Sequence, residues 1–214
     1  MSFFIDFVIH IDKHIINIVN FFGDWTYFIL FSIIFLETGA VILPFLPGDS
    51  LLFAASAISA NPDYNLNIWI FILIFLIASI GGDSLNFKFG SVLGKKIESG
   101  NSILNKIIKP KQLKAAEEFF NRYGNFAIFI ARFVPIMRTF VPFIAASSHY
   151  DYKRFAKYNI PSCLIWVFLF CGAGYFFGNI KFVQDNFSIV VLGILFISLI
   201  PIIFEVIKNK IKNK

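Results

Sequence analysis

Phe35-Leu36-Glu37-Thr38-Gly39-Ala40-Val41-Ile42-Leu43-Pro44-Phe45-Leu46-Pro47-Gly48-Asp49-Ser50-Leu51-Leu52-Phe53 is an apolar stretch that carries two carboxylates, Glu37 and Asp49, and is broken at Pro44, Pro47 and Gly48. Its counterpart, Ala131-Arg132-Phe133-Val134-Pro135-Ile136-Met137-Arg138-Thr139-Phe140-Val141-Pro142-Phe143, carries two guanidiniums, Arg132 and Arg138, and breaks at Pro135 and Pro142. A charge at bilayer depth costs about 2.5–3.5 kcal/mol on insertion scales, so such residues face a cavity or one another and mark a pathway. Apolar segments interrupted by Pro and Gly in corresponding halves of a chain are the best sequence pointer to a transporter's binding site.

Lipid is the solvent that the composition suits. Hydrophobic residues make up 57% of the 214, aromatics 19% and charged residues only 15%, against about 25% charged in an ordinary soluble domain. The mean hydropathy is +0.75. The net charge of +6 does not indicate a nucleic-acid partner. Lysines and arginines gather between Lys88 and Arg122, at Lys153, Arg154 and Lys157, and in the tail at Lys208, Lys210, Lys212 and Lys214, with no base-stacking motif beside them. Cys163 and Cys171 are eight residues apart, about 12 Å of helical rise, too far for a disulfide within one helix. No residue set has metal-ligand spacing, so neither a metal nor a cofactor is expected.

Apolar sequence falls into blocks at 25–60, 66–87, 125–147, 159–178 and 187–204. A span needs about 20 apolar residues, which 66–87, 159–178 and 187–204 supply. The blocks holding the breaks are either spans kinked at proline or re-entrant hairpins. Placing the basic 88–122 segment and the lysine tail in the cytoplasm makes 125–147 begin and end on that side, hence re-entrant. By symmetry 25–60 dips in from the opposite side. Residues 1–22, apolar at helical spacing but interrupted by Asp6, His10, Asp12, Lys13 and His14, read as an amphipathic interfacial helix on the outer surface rather than a cleaved signal. The expected fold is therefore an all-α integral membrane protein. It has three transmembrane helices and two opposed Pro/Gly-broken re-entrant hairpins forming an inverted repeat, preceded by the amphipathic helix. It forms one membrane domain over 1–214, with a first repeat at 25–94, a solvated polar connector at 95–122 and a second repeat at 123–180. The final span, 187–204, and the basic tail, 205–214, follow. Each repeat also carries a Gly-x-x-x-Gly, at Gly90/Gly94 and Gly174/Gly178, which permits close helix approach.

The chain resembles the DedA family, whose domain is also called the SNARE-associated or VTT domain, over about residues 30–180. The carriers are Glu37-Thr38-Gly39 with Pro47-Gly48-Asp49; Gly82-Asp83 with Phe87, Gly90 and Gly94; Arg122-Tyr123-Gly124; Arg132-Phe133-x-Pro135-x-x-Arg138-Thr139 with Pro142; and Phe155, Asn159, Trp166 and Gly174-Tyr175-Phe176-x-Gly178. It departs from the family pattern at Ala145-Ala146 (commonly Ala-Gly), Ser162 (commonly Gly) and Phe87 (more usually Tyr). The resemblance implies a multi-pass bacterial inner-membrane protein with two opposed re-entrant hairpins. It also implies transport of a phosphate-bearing lipid, undecaprenyl phosphate or a phospholipid such as phosphatidylethanolamine, coupled to protons or cations. The expected partners are that lipid and those ions; a homo-oligomer is compatible with the sequence. The C-terminus is expected in the cytoplasm.

Arginine keeps its proton and presents a planar fork of donors that matches phosphate. Arg132 and Arg138 are accordingly the candidate lipid-phosphate ligands; the other reading has both simply pairing with Glu37 and Asp49 to hold the hairpins together. Glu37 and Asp49 change protonation, so they are the candidate proton- or ion-coupling residues. Asp83 is a secondary candidate beside Gly81-Gly82, either a third intramembrane acid or a residue that meets water near a cytoplasmic helix end. An enzyme would want a positioned nucleophile or a metal cluster, and neither is legible, so no catalytic residue is assigned. The alternative functions are a proton or cation exchanger and a scaffold for envelope maintenance.

Overall fold

The computed structural model describes residues 11–39, 48–98, 110–178, 180–186, 189–190 and 193. Every regular element among them is helical: α1 (Ile11–Phe22), α2 (Trp25–Gly39), α3 (Gly48–Ser59), α4 (Ile68–Glu98), α5 (Pro110–Tyr123), α6 (Phe126–Ala131), α7 (Pro135–Ser147), α8 (Tyr152–Phe177) and the short α9 (Lys181–Asp185). Two stretches, Ile68–Val92 and Tyr152–Phe177, are long and apolar enough to cross a membrane. The expected third span at 187–204, the basic tail, and the breaks at Pro44 and Pro47 lie mostly or wholly outside the described residues.

Helical periodicity explains which face of each span is covered. Along α4, Trp69, Leu73 and Ile77 are exposed at intervals of four, while Phe71, Phe75, Ala78 and Ser79 are buried. The exposed side is aromatic and aliphatic, as lipid contact requires, and Asn67 starts the helix by accepting from the Trp69 N–H at 2.8 Å. In α2, Thr26, Leu30, Ile34 and Glu37 share one buried stripe. Glu37 is inside because it is in register with that apolar face.

The chain divides into two compact units. Unit 1 comprises Met1–Phe28, Pro47–Ile72 and Val167–Lys214; unit 2 comprises Ile29–Leu46 and Leu73–Trp166. In unit 1, α1 packs on α3 and buries Ile15, so α1 has a protein neighbour as well as an apolar exposed side. The Tyr27 ring meets Phe71 at 4.7 Å and its hydroxyl accepts from the Asn67 N–H at 2.7 Å. Gly174 of α8 and Gly178, just past its end, meet α3 so closely that an added Cβ would stand 2.9 Å from the Phe53 carbonyl carbon and 2.8 Å from Ala57 Cα. In unit 2, Gly90 of α4 meets α7 in the same fashion, where a Cβ would stand 2.8 Å from Phe143 Cα. Gly174 and Gly90 each face a phenylalanine that shortly precedes small residues, Phe53-Ala54-Ala55-Ser56 and Phe143-Ile144-Ala145-Ala146-Ser147. The shared sequence of the two halves is thus matched by a shared packing device.

The connector expected to be solvated is in part a packing element. α5 lies on α7 and buries Ala116 and Phe119 in a cluster with Phe87, Phe140, Phe143 and Phe155, and only its other side is polar and exposed. Its amphipathic spacing is what makes this possible. Gly124, at φ +56°, ends α5 by donating its N–H to the Phe120 carbonyl at 2.8 Å.

Candidate functional site

The second break is an elbow at residues 132–134. Arg132 closes α6 in helical conformation, and Val134, which precedes Pro135, is extended at φ −117°, ψ 105°. Steric conflict with the proline ring drives the preceding residue out of the helical region. The Phe133 and Val134 N–H groups donate to Ile130 and Ala131 carbonyls at 3.0 Å, so the elbow satisfies its own backbone. α7 then starts at Pro135 and runs on through Pro142. Pro142 is therefore not a break, contrary to expectation. Its fixed φ is helical, the only bond lost is the one its missing N–H would give the Arg138 carbonyl, and such losses are tolerated where the helix is enclosed at membrane depth. From Arg138 to Ala146 every residue of α7 is buried. At 13 residues α7 is about 20 Å long and α3, at 12, about 18 Å, both short of a 30 Å hydrocarbon core.

Unit 2 gathers the charges. Arg138 donates through Nη2 to Glu37 Oε1 in a buried pair. Arg132 donates through Nη1 to Asp83 Oδ2 at 2.6 Å, with both residues almost wholly enclosed. The pairing of both arginines with Glu37 and Asp49 is thereby corrected: Arg132's carboxylate is Asp83. That acid is not near a helix end. It sits in the middle of α4, which continues ten residues past the Lys88 that closes the apolar block. Ser79, Asp83, Asn86 and Gly90 follow one another at i, i+4, i+7 and i+11 on the buried face of α4.

Trp166 of α8, the largest fully buried side chain, completes the cluster. Its ring lies 4.5 Å from the Arg132 guanidinium carbon and 5.9 Å from that of Arg138. A desolvated cation over an indole gains about 2 kcal/mol, which helps two like charges share one site. Asn86 binds the surrounding backbone, donating to the Thr139 carbonyl at 2.7 Å and to the Thr38 carbonyl at 3.4 Å. α2 and α4 cross here with little between them: a Cβ on Gly82 would stand 2.8 Å from Thr38 Cβ. Cys163, a free thiol, donates toward Asp83 Oδ2 at 3.5 Å.

The two pairs are not equivalent. Arg132 is 3% exposed, yet its Nε and Nη2 have no hydrogen-bond partner among the described residues. Asp83 Oδ1 and Asn86 Oδ1 are likewise buried without one. Orphaned donors on a fixed guanidinium are the arrangement an oxyanion satisfies. Asp49 belongs to unit 1, where it is buried in the first turn of α3, the end of a helix that favours a negative charge. Gly48, expected as part of the break, is instead the first residue of that helix. Of the residues in the cluster, sequence reasoning had no role for Asn86 or Cys163 and used Trp166 only as a mark of resemblance. An amide at i+3 from Asp83 within an apolar span was the signal for Asn86.

The VTT domain model matches residues 46–176, which is more than half of the chain. The chain is similar to Protein DedA of Escherichia coli, with 45% identity over 208 residues, covering 97% of this chain and 94% of that protein. It is also similar to an uncharacterized membrane protein of Mycobacterium tuberculosis, 38% identical over 173 residues and covering 79% and 73%. Inner membrane protein YghB of Escherichia coli is 31% identical over 215 residues, covering 97% and 93%. No solved structure matches. With a domain match of this extent and 45% identity over nearly its whole length, the chain belongs to the VTT-domain family of membrane proteins, the DedA family.

Proposed function

We propose that this protein is a non-enzymatic lipid translocase of the bacterial inner membrane, moving a phosphate-bearing lipid such as undecaprenyl phosphate or phosphatidylethanolamine in a step coupled to protons or cations. The observation that carries the reading is Arg132: a buried, always-charged fork with two donors unsatisfied among the described residues. A lipid phosphate would supply the missing acceptors, and its acyl or prenyl chain would stay in the hydrocarbon. Arg138, on the same indole, adds positive potential and is the second phosphate ligand of the proposal. The breaks before α3 and at 132–134 would be the tips of two re-entrant hairpins, α3 and α7 being their short return arms. Glu37, Asp49 and Asp83 are the buried acids available to exchange a proton. A proton crossing the whole membrane potential gains about 2.3 kcal/mol per 100 mV, enough to drive an uphill lipid movement.

The test is reconstitution in liposomes, following loss of labelled undecaprenyl phosphate and phosphatidylethanolamine from the outer leaflet with and without a proton gradient. Movement of one lipid, lost in Arg132→Ala and Arg138→Ala proteins that remain folded, is the expected result. Folded protein that moves neither lipid but dissipates a proton gradient would replace the proposal with an ion exchanger, and protein inert in both assays would replace it with a scaffold.

A further inference from the structure

The two buried ion pairs of unit 2 use their acids differently. The Glu37 carboxylate pairs with Arg138. The Asp83 carboxylate pairs through one oxygen with Arg132, leaves its other oxygen without a partner, and faces an arginine with two donors still to be filled. Resting on the phosphate-lipid reading, we infer that Asp83 is the proton-carrying acid of the transport cycle. An anion entering on the Nε and Nη2 edge of Arg132 takes over that guanidinium, and Asp83 accepts a proton from water as it is displaced.

The groups around Asp83 make the exchange balance. Arg132 at the end of α6 is in contact with it, and Arg138 on α7 adds a weaker attraction. Cys163 and Asn159 on α8 lie beside it as neutral donors, Ser79 and Asn86 are its neutral neighbours on α4, and the remaining acid of the cluster, Glu37 on α2, is already paired with Arg138. In the resting state Arg132 and Asp83 cancel. With one phosphate negative charge bound to Arg132, Asp83 would be an uncompensated carboxylate in an enclosed site, which neutralises rather than stays charged. The proton comes from solvent and forms an O–H bond on the carboxylate. The carboxyl group then has a donor of its own, and the lone oxygen of Asn86 is the nearby acceptor type. Release of the anion returns the proton and restores the Arg132–Asp83 pair. Each anion thus travels with one proton, and neither moves alone without leaving a bare charge.

The experiment titrates dodecyl phosphate, and separately inorganic phosphate, into the full-length protein in an uncharged maltoside detergent at low buffer strength, reading pH with a dye and binding by Trp166 fluorescence. Fluorescence is read in a Trp25→Phe/Trp69→Phe background, which leaves Trp166 as the single tryptophan of the sequence. The expected result is uptake of about one proton per dodecyl phosphate bound, with affinity weakening about tenfold per pH unit on the alkaline side. Asp83→Asn should bind with a flat pH dependence and no uptake, while Glu117→Gln, on the exposed side of α5 and outside the cluster, keeps the uptake. Uptake retained in folded Asp83→Asn overturns the assignment. Should that variant not fold, Glu37→Gln and Asp49→Asn decide: loss of uptake in either moves the proton away from Asp83. Failure of wild-type protein to bind dodecyl phosphate at all overturns both this inference and the phosphate-lipid reading. Equal binding and uptake with inorganic phosphate overturns the lipid source alone and leaves Asp83 in place.

Discussion

Trp166 presents its ring to both guanidiniums, 4.5 Å from that of Arg132 and 5.9 Å from that of Arg138. Replacing it with leucine should weaken dodecyl phosphate binding about five- to thirtyfold, the equivalent of the cation–π contribution, while Trp166→Phe keeps most of it; titration of the folded variants, followed by calorimetry, measures this. Glu37→Gln should destabilise by about 3–5 kcal/mol, because it strands the Arg138 charge in an enclosed site. Adding Arg138→Met should recover much of that loss, a non-additivity that denaturant unfolding of the two single variants and the double variant would read directly. The sequence made Glu37, Asp49, Arg132 and Arg138 legible because charges in apolar runs stand out one by one. It did not reveal who pairs with whom. Glu37 and Arg138 are 101 residues apart, and Asp83 and Arg132 are 49 apart, so their pairing is a property of helix packing alone.

At the scale of elements, glycines decide how closely α3 and α7 are approached by the long helices. Gly90→Val and Gly174→Val should each lower stability by about 1–3 kcal/mol or abolish folding, since the added carbon meets backbone, which cannot move aside as a side chain does. Gly172 has open space around it, and Gly172→Ala should be neutral or stabilise α8 by about 0.5–1 kcal/mol. Melting curves followed by size-exclusion recovery in detergent would separate the three. The Gly-x-x-x-Gly spacings were visible in the sequence, and so was the break at Pro135. Two element boundaries were misread for identifiable reasons. Pro142 looked like a second break because proline ends helices in water, and an enclosed helix tolerates it. Lys88 looked like the end of a span, but a lysine on the exposed side of α4 does not interrupt the helix, and Asp83 was consequently placed too near a terminus.

For the whole molecule, the positive-inside reading gives a topology that chemistry can check. Cys163 and Cys171 are free and buried, so the unmodified protein should resist a membrane-impermeant maleimide. Cysteines introduced at the exposed Asp63 and Lys153 should be labelled from opposite faces of the membrane, Lys153→Cys from the cytoplasm. Labelling of both from one face would make 125–147 a crossing segment rather than a re-entrant one, and Lys153→Cys labelled from outside with Asp63→Cys from the cytoplasm would reverse the direction assigned to α4. The helical class and two spans were legible from length and hydropathy. The interleaving of the units was not, because the stretches 25–94 and 123–180 each contribute to both.

The order of the charges along the chain has a consequence for biosynthesis. The acids of both buried pairs, Glu37 and Asp83, leave the ribosome before Arg132 and Arg138. At about 5–20 residues per second, Asp83 waits about 2.5–10 s for Arg132, and Glu37 about 5–20 s for Arg138. A carboxylate delivered into a bilayer without its counter-ion is expelled or neutral. The Glu37 and Asp83 carboxyl groups are therefore expected to enter the membrane protonated and to ionise only when Arg138 and Arg132 arrive. A nascent chain stalled before residue 132 is therefore expected to be a substrate for membrane proteolysis.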